Sequence, residues 1–327
     1  MNDIEMLEQV VASAFYGRFT TLRPVQEAAI EPLVNGQNLV LASGTGSGKT
    51  EAVLAPLLSL YWRQAAKNGA LSILYIAPTK ALVNDLEKRL HPPLNKLGLR
   101  VGIRHGDRDD LVSGQTPHIL VTTPESLEVL FFRKDTALQT IQAVVIDEVH
   151  LLYNTQRGLQ LSILLQRLKQ SLERDLQWAA LSATVGRLQD VRDFLFGRAE
   201  SANFLKFPAH RRIDAHVRYI AHEQSFLKVI DQLTKGIPTK LLIFANSRRE
   251  CERLVSVLQQ EKQLCPFVFM HYSSLSSEVR IETEQKFLSA KTAICVTTST
   301  LELGVDIGDI DAVILWGVPG SVESFLQ

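Results

Sequence analysis

The segment Ser43-Gly44-Thr45-Gly46-Ser47-Gly48-Lys49-Thr50 sets glycines at alternate positions ahead of a lysine and a hydroxyl. Gly44, Gly46 and Gly48 let a backbone wrap closely and turn its N–H groups toward phosphate oxygens. A helical pattern from Glu51 adds the positive end of a helix to the same place. In such a loop Thr45 and Ser47 lie against the phosphates, Lys49 reaches the β- and γ-phosphates, and Thr50 helps to hold Mg²⁺. The strict pattern opens on glycine, and Ser43 is a small substitute for it. The bland alternative is a glycine-rich turn that happens to precede Lys-Thr.

A second cluster of the same kind of chemistry follows about a hundred residues later. The apolar run Ala143-Val144-Val145-Ile146 ends at Asp147-Glu148-Val149-His150. A carboxylate at the tip of such a run can hold Mg²⁺ through its water shell, which suits Asp147. Glu148 can then orient and deprotonate an attacking water. By itself an Asp-Glu pair after a strand is equally a helix start that favours negative charge. Beside a phosphate loop in one domain, it reads as the other half of an ATP–Mg²⁺ site.

The elements needed to position these residues are legible as short apolar runs alternating with longer helical patterns. The runs predict strands at Asn38–Ala42, Ser72–Ala77, His118–Thr122, Ala143–Asp147 and Trp178–Ser182. A second set is expected at Lys240–Ala245, Pro266–Met270, Thr292–Thr297 and Ala312–Trp316. Near-continuous apolar strands separated by helices imply parallel sheets covered on both faces. In such sheets ligands collect beyond the carboxyl ends of the strands, where every motif here falls. The fold expected is α/β, with two tandem units spanning 1–207 and 208–327. Pro56 falls inside the first predicted helix and should bend it.

Composition bounds the alternatives. The 327 residues suffice for two domains of ordinary size. Lys plus Arg and Asp plus Glu are 35 each, so formal charge is zero and the basic signature of many nucleic-acid binders is missing. No apolar run has the length of a membrane span, and the first residues lack a secretory pattern. Cys251, Cys265 and Cys295 are odd in number and widely spaced, as expected of reduced thiols in a cytoplasmic protein. No Cys/His cluster has zinc spacing.

With Asp147-Glu148-Val149-His150 as a DExH box and Ser182-Ala183-Thr184 after it, the chain resembles the superfamily 2 helicases. Arg104-His105-Gly106-Asp107, the run Ile119–Leu127, Leu181–Gly186 and Thr297–Ile307 resemble the Lhr-type (large helicase-related) group in particular. The resemblance covers about residues 15 to 327 and implies two RecA-like P-loop domains, the second incomplete at its C-terminus. It also implies roles. Phe19–Gln26 resembles the Q motif, in which Gln26 bonds adenine. Thr79 and Lys80, then Thr123, Pro124, Glu125 and Ser126, resemble loops that follow a phosphodiester backbone, where hydroxyls, a lysine and helix-start N–H groups are suitable. Ser182 and Thr184 would couple nucleotide state to strand contacts. In the second unit, Arg248, His271, Thr297 and Thr298 would meet the bound strand, while Gly304 and Asp306 would approach the nucleotide. Singly, Gln26 is also a plain helix-start residue, and Arg248 with Arg249 a solvated helix start.

The resemblance also implies a sixth motif of the Gln-Arg-x-Gly-Arg type, of which Gln327 matches the first residue. Arginines of that kind contribute about 10³–10⁵ in turnover. Their absence from the sequence leads us to expect ATP–Mg²⁺ binding with weak hydrolysis, in a fragment or in one half of a split helicase completed by a second polypeptide. The leading reading is an ATP-dependent helicase on single-stranded or partly duplex DNA, moving 3′→5′ and contributing to DNA repair, all by resemblance. The rivals are an RNA helicase and a nucleic-acid-binding module with no motor activity.

Overall fold

In the computed structural model the chain divides into two compact units, Met1–His210 and Arg211–Gln327. The structure describes residues 3–19, 21–44, 46–68, 70–113, 116–172, 174–183, 187–208, 214–234, 238–272, 275–298 and 309–318.

The first unit begins with α1 (Gln9–Tyr16) and α2 (Pro24–Val34), followed by β1 (Leu39–Ala42), α3 (Lys49–Asn68), β2 (Ile73–Ile76) and α4 (Lys80–Lys96). It continues through β3 (Val101–His105), β4 (Arg108–Asp109), β5 (Ile119–Thr122), α5 (Pro124–Phe132), β6 (Ala143–Ile146) and α6 (Gln156–Ser171). It closes with β7 (Gln177–Ser182), α7 (Leu188–Leu195) and β8 (Asn203–Lys206). The strands form one eight-stranded sheet in the order β4-β3-β5-β2-β6-β7-β1-β8.

The apolar strands are buried on both faces, and the period of two divides them between two cores. Leu39, Leu41, Ile73, Tyr75, Val145 and Leu181 face the cluster covered by α1 to α4. Val40, Leu74, Ile76, Val144, Trp178 and Ala180 face the cluster built with α5, α6 and α7. Trp178 stacks on Phe196 with ring centroids 3.8 Å apart.

The sheet departs from the expected one in three strands. β3 and the two-residue β4 form an antiparallel corner, Arg104 opposite Asp109, so the sheet is not wholly parallel. β3 pairs in parallel with β5, and β4 is held at the edge by β3 alone. β8 was not among the expected strands; it pairs in parallel with β1, from Leu39–Asn203 to Ala42–Lys206. Pro56 is accommodated inside α3, which runs unbroken through it.

The second unit contains α8 (Glu223–Thr234), β9 (Lys240–Ala245), α9 (Arg248–Gln260), β10 (Val268–His271), α10 (Ser277–Ser289), β11 (Ala293–Thr297) and β12 (Ala312–Trp316). Its four strands are parallel in the order β10-β11-β9-β12. Leu241, Ile243, Ile294 and Val296 face one cluster, while Leu242 and Cys295 join Phe287 on the other side. Among the described residues, no helix is long and apolar enough to cross a membrane.

Candidate functional site

Strand order decides which loops become neighbours in the first unit. The loops leaving β1 and β6 carry the glycine-rich segment and Asp147-Glu148, with the end of β7 between them. The loops leaving β2 and β5 carry Thr79-Lys80 and Thr123–Ser126, and they adjoin each other on the far side of β6.

The glycine-rich loop is tied to the sheet by Ser43 N–H, which donates to the Ser182 carbonyl at 3.0 Å. Gly46 and Gly48 have φ of +70° and +88°, a region that side chains disfavour. A Cβ on Gly48 would also stand 2.6 Å from Gln26 Nε2. Lys49 and Thr50 form the first turn of α3 and are buried. The Lys49 ammonium donates to the carbonyls of Ser43 at 2.7 Å and Gly44 at 3.3 Å. Ser47 Oγ is buried with no hydrogen-bond partner. Thr45 lies outside the described residues.

Gln26 sits at the edge of this loop. Its Oε1 accepts from Arg23 N–H at 3.0 Å, closing the first turn of α2 as a capping-box residue does. Its amide nitrogen faces Gly48, and the Arg23 guanidinium donates to the Gly46 carbonyl. The helix-start role is therefore satisfied within the fold, next to the phosphate loop.

Asp147 is buried and held on both oxygens. Oδ2 accepts from the Tyr75 hydroxyl at 2.7 Å, and Oδ1 accepts from Glu148 N–H at 2.8 Å. Burial, followed by the Asp147 charge, keeps the Tyr75 phenol well above its ordinary range, so it remains a donor. The Thr50 side chain acts on the same phenol in the opposite sense, favouring its ionisation. One buried phenol therefore lies beside both residues expected to hold Mg²⁺.

Glu148 adopts left-handed backbone angles, φ +43° and ψ +48°, which are uncommon for such a side chain. Its Oε2 is buried with no hydrogen-bond partner, although His150 Nδ1 is 3.4 Å away. Burial and then the neighbouring Asp147 push its carboxyl up to about 7, against the opposite pull of Lys49 and the Ala183 N–H. His150 Nδ1 is also 3.2 Å from Ser182 Oγ and 3.4 Å from Ala183 N. Thus the acidic loop and the end of β7 share one side chain. Thr184 lies outside the described residues.

The residues fit an ATP–Mg²⁺ group. Orphaned oxygens on Ser47 and Glu148 border a glycine cradle, and Thr50 and Asp147 supply the hard oxygen donors that Mg²⁺ selects.

On the other pair of loops, Thr79 and Thr123 are the N-caps of α4 and α5. Their hydroxyls accept from Leu82 N–H at 3.3 Å and Ser126 N–H at 3.4 Å. Thr123 also donates to Ser126 Oγ, and Pro124 occupies the first helical position. Lys80 pairs with Asp107 at 2.8 Å. Glu125 accepts from Arg157 Nε at 2.6 Å; burial opposes its ionisation, but Arg157, its own backbone N–H and Thr123 outweigh that and hold it low.

In the second unit, two of the residues expected to meet a nucleic-acid strand are buried. His271 was expected to meet a nucleic-acid strand, but it is buried and bonds Glu284 at 2.9 Å, because the last residue of β10 points under α10. Thr297 is also fully buried, and its hydroxyl donates to the Thr298 carbonyl at 2.9 Å. Arg248 is exposed, pairs with Glu252 at 2.8 Å and lies over the Tyr272 ring. Thr298 is half-buried, and Gly304 and Asp306 fall outside the described residues.

Residues 23–193 match the family model for DEAD/DEAH box helicases, more than half of the chain. The chain belongs to that family. Residues 224–327 match the helicase conserved C-terminal domain. ATP-dependent helicase Lhr-Core protein 2 of Thermococcus barophilus is 32% identical, over 99% of this chain and 42% of the relative. ATP-dependent helicase Lhr-Core of Methanocaldococcus jannaschii is 33% identical, over 99% and 41%. The chain thus spans under half the length of these relatives. Among solved structures, Mycobacterium smegmatis helicase Lhr bound to ssDNA and AMP-PNP superposes with a TM-score of 0.84 at 29% identity, covering 100% of this chain and 46% of that one. The fold is the tandem RecA-like arrangement of these helicases, as the resemblance implied.

Tyr75, His150, Arg23 and Arg157 were not among the residues selected for function from the sequence. Tyr75 carried one signal, a hydroxyl in an otherwise apolar run. His150 carried only its place as the last letter of the DExH box. Arg23 and Arg157 carried none that separates them from other surface arginines, since their contacts are made across the fold.

Proposed function

We propose that this chain is the ATP-driven core of a nucleic-acid helicase that acts on DNA and moves 3′→5′. The supporting observation is the joined group Lys49, Thr50, Tyr75, Asp147 and Glu148 at the carboxyl edge of one sheet. Backbone N–H groups of the glycine loop and the Lys49 ammonium hold the phosphates and offset their charge. Thr50 and Asp147 would hold Mg²⁺, which would supply further neutralisation of the phosphate charge. Glu148, with one oxygen unpartnered, orients the attacking water and accepts its proton. His150 carries the change at Glu148 to Ser182. Gln26 reads adenine once its cap hydrogen bond rearranges.

The preference for DNA is supported by the likeness to a helicase solved with ssDNA. On the same reading Thr79, Lys80, Thr123 and Ser126 follow phosphates, together with Arg248 and Thr298 of the second unit. Arg157 holds Glu125, which makes this carboxylate a structural member of that surface.

The test combines nucleotide and strand binding. Lys49→Ala should weaken ATP binding at least about 100-fold in calorimetry, given the charge-assisted contacts it loses. Fluorescence anisotropy with matched single-stranded DNA and RNA should show tighter binding to DNA. Affinity should fall linearly with log salt despite the zero net charge, because phosphate contacts release counterions. Unchanged ATP affinity in Lys49→Ala would remove the motor reading. Strand binding that ignores ATP would favour a passive module, and preference for RNA would reassign the substrate.

A further inference from the structure

Arg157 is the second residue of α6, ten positions after Asp147, and bridges the two loops that the proposed function assigns to the nucleic-acid strand. Its Nε donates to Glu125 Oε1 at 2.6 Å, and its Nη2 donates to the Pro78 carbonyl at 2.6 Å. Pro78 immediately precedes Thr79, the N-cap of α4, and Glu125 lies in the first turn of α5, capped by Thr123. One guanidinium therefore spans the starts of two helices, the ends at which a helix favours negative charge. It also neutralises a carboxylate that would otherwise repel phosphates there.

The other end of the link leads back to the acidic loop. Gly158 packs so closely on that loop that a Cβ would stand 1.9 Å from the Leu152 carbonyl oxygen. Gly158 N–H and the Leu152 carbonyl are both bonded to Thr155 Oγ1, the N-cap of α6, at 3.1 and 2.7 Å. Leu152 N–H in turn donates to the Val149 carbonyl at 2.9 Å, next to Glu148. The start of α6 is thus locked to the segment that follows Asp147-Glu148 and reaches Pro78 and Glu125 through one side chain.

We propose that Arg157 is the positioning residue through which the acidic loop sets the spacing and charge of the strand-facing loops, coupling nucleotide occupancy to nucleic-acid affinity. This rests on the proposed function, since it takes those loops as the strand-binding ones. Coupling of this kind is reciprocal and is measured as a ratio of affinities.

The experiment measures anisotropy of labelled single-stranded DNA with and without a non-hydrolysable ATP analogue, for wild type, Arg157→Ala, Arg157→Lys, Glu125→Gln and Arg157→Ala/Glu125→Gln. Analogue affinity is recorded for each by calorimetry. Arg157→Ala should keep the wild-type affinity for the analogue. It should lose about tenfold in DNA affinity, the scale of one charge-assisted bond, and most of the analogue's effect on it. Adding Glu125→Gln should recover part of the affinity by removing the exposed charge, but not the response to the analogue. Arg157→Lys should recover charge without the bidentate span and lie between the two. Lys80→Ala separates the levels. If it and wild type bind DNA equally, the strand-facing assignment fails, and this inference with it. If Lys80→Ala weakens binding while Arg157→Ala changes neither the affinity nor its response, the inference alone is overturned.

Discussion

Glu148 concentrates several local costs on one residue. It takes a left-handed backbone, keeps one oxygen without a hydrogen bond and carries a carboxyl raised to about 7 by burial and by Asp147. Such strain persists where the surroundings over-determine it, and a general base tuned near neutrality suits proton abstraction from water. The sign follows from proton binding. A carboxyl that titrates near 7 when folded and near 4.5 when unfolded binds more protons in the folded state. Its contribution to stability is therefore lost as pH rises between those values. Hydrolysis needs the ionised form and should rise with pH through about 7, then level off, and Glu148→Gln should remove the step along with about 10²-fold or more in rate. A flat profile from pH 5.5 to 8 would count against this base. Tyr75→Phe should leave the fold intact but strand one oxygen of Asp147, and the Mg²⁺ concentration for half-maximal nucleotide binding should rise about tenfold. Equal Mg²⁺ requirement in calorimetric titrations would show that the phenol is not needed. Of these residues, Lys49, Asp147 and Glu148 were legible from type and spacing. Tyr75 was not, because its role exists only where β2 lies beside β6.

At the level of elements, Thr79, Thr123 and Thr155 each close the first turn of a helix with a side-chain oxygen that accepts from a backbone N–H. Helix starts of this type were readable as threonines after apolar runs. The packing of α6 on the acidic loop was not, since it depends on the missing Cβ of Gly158. Gly158→Ala would press a methyl against a backbone oxygen, so the first turn must shift. We expect a loss of about 1–3 kcal/mol, the usual cost of overpacking. A melting point lower by several degrees in calorimetry should accompany it. Wild-type melting with wild-type strand affinity would mean that the turn relaxes freely.

At the level of the whole chain, the first unit builds an apolar cluster on each face of its own sheet. Residues 1–210 should therefore fold as a separate polypeptide, melt cooperatively and bind an ATP analogue through Lys49. An unfolded or non-binding product by circular dichroism and calorimetry would show that this core depends on the remainder of the chain.

The α/β class, the paired sheets and the phosphate and acidic motifs follow from local patterns in the chain. Each is encoded within a few consecutive residues, as an apolar run, a glycine spacing or a charge at a strand end. Only the tertiary structure decided that β8 belongs to the first sheet, that His271 and Thr297 turn inward, and that Tyr75 and Arg157 tie separate loops together. Those outcomes depend on strand order and helix packing, which bring together residues tens of positions apart, and no local pattern records such distances.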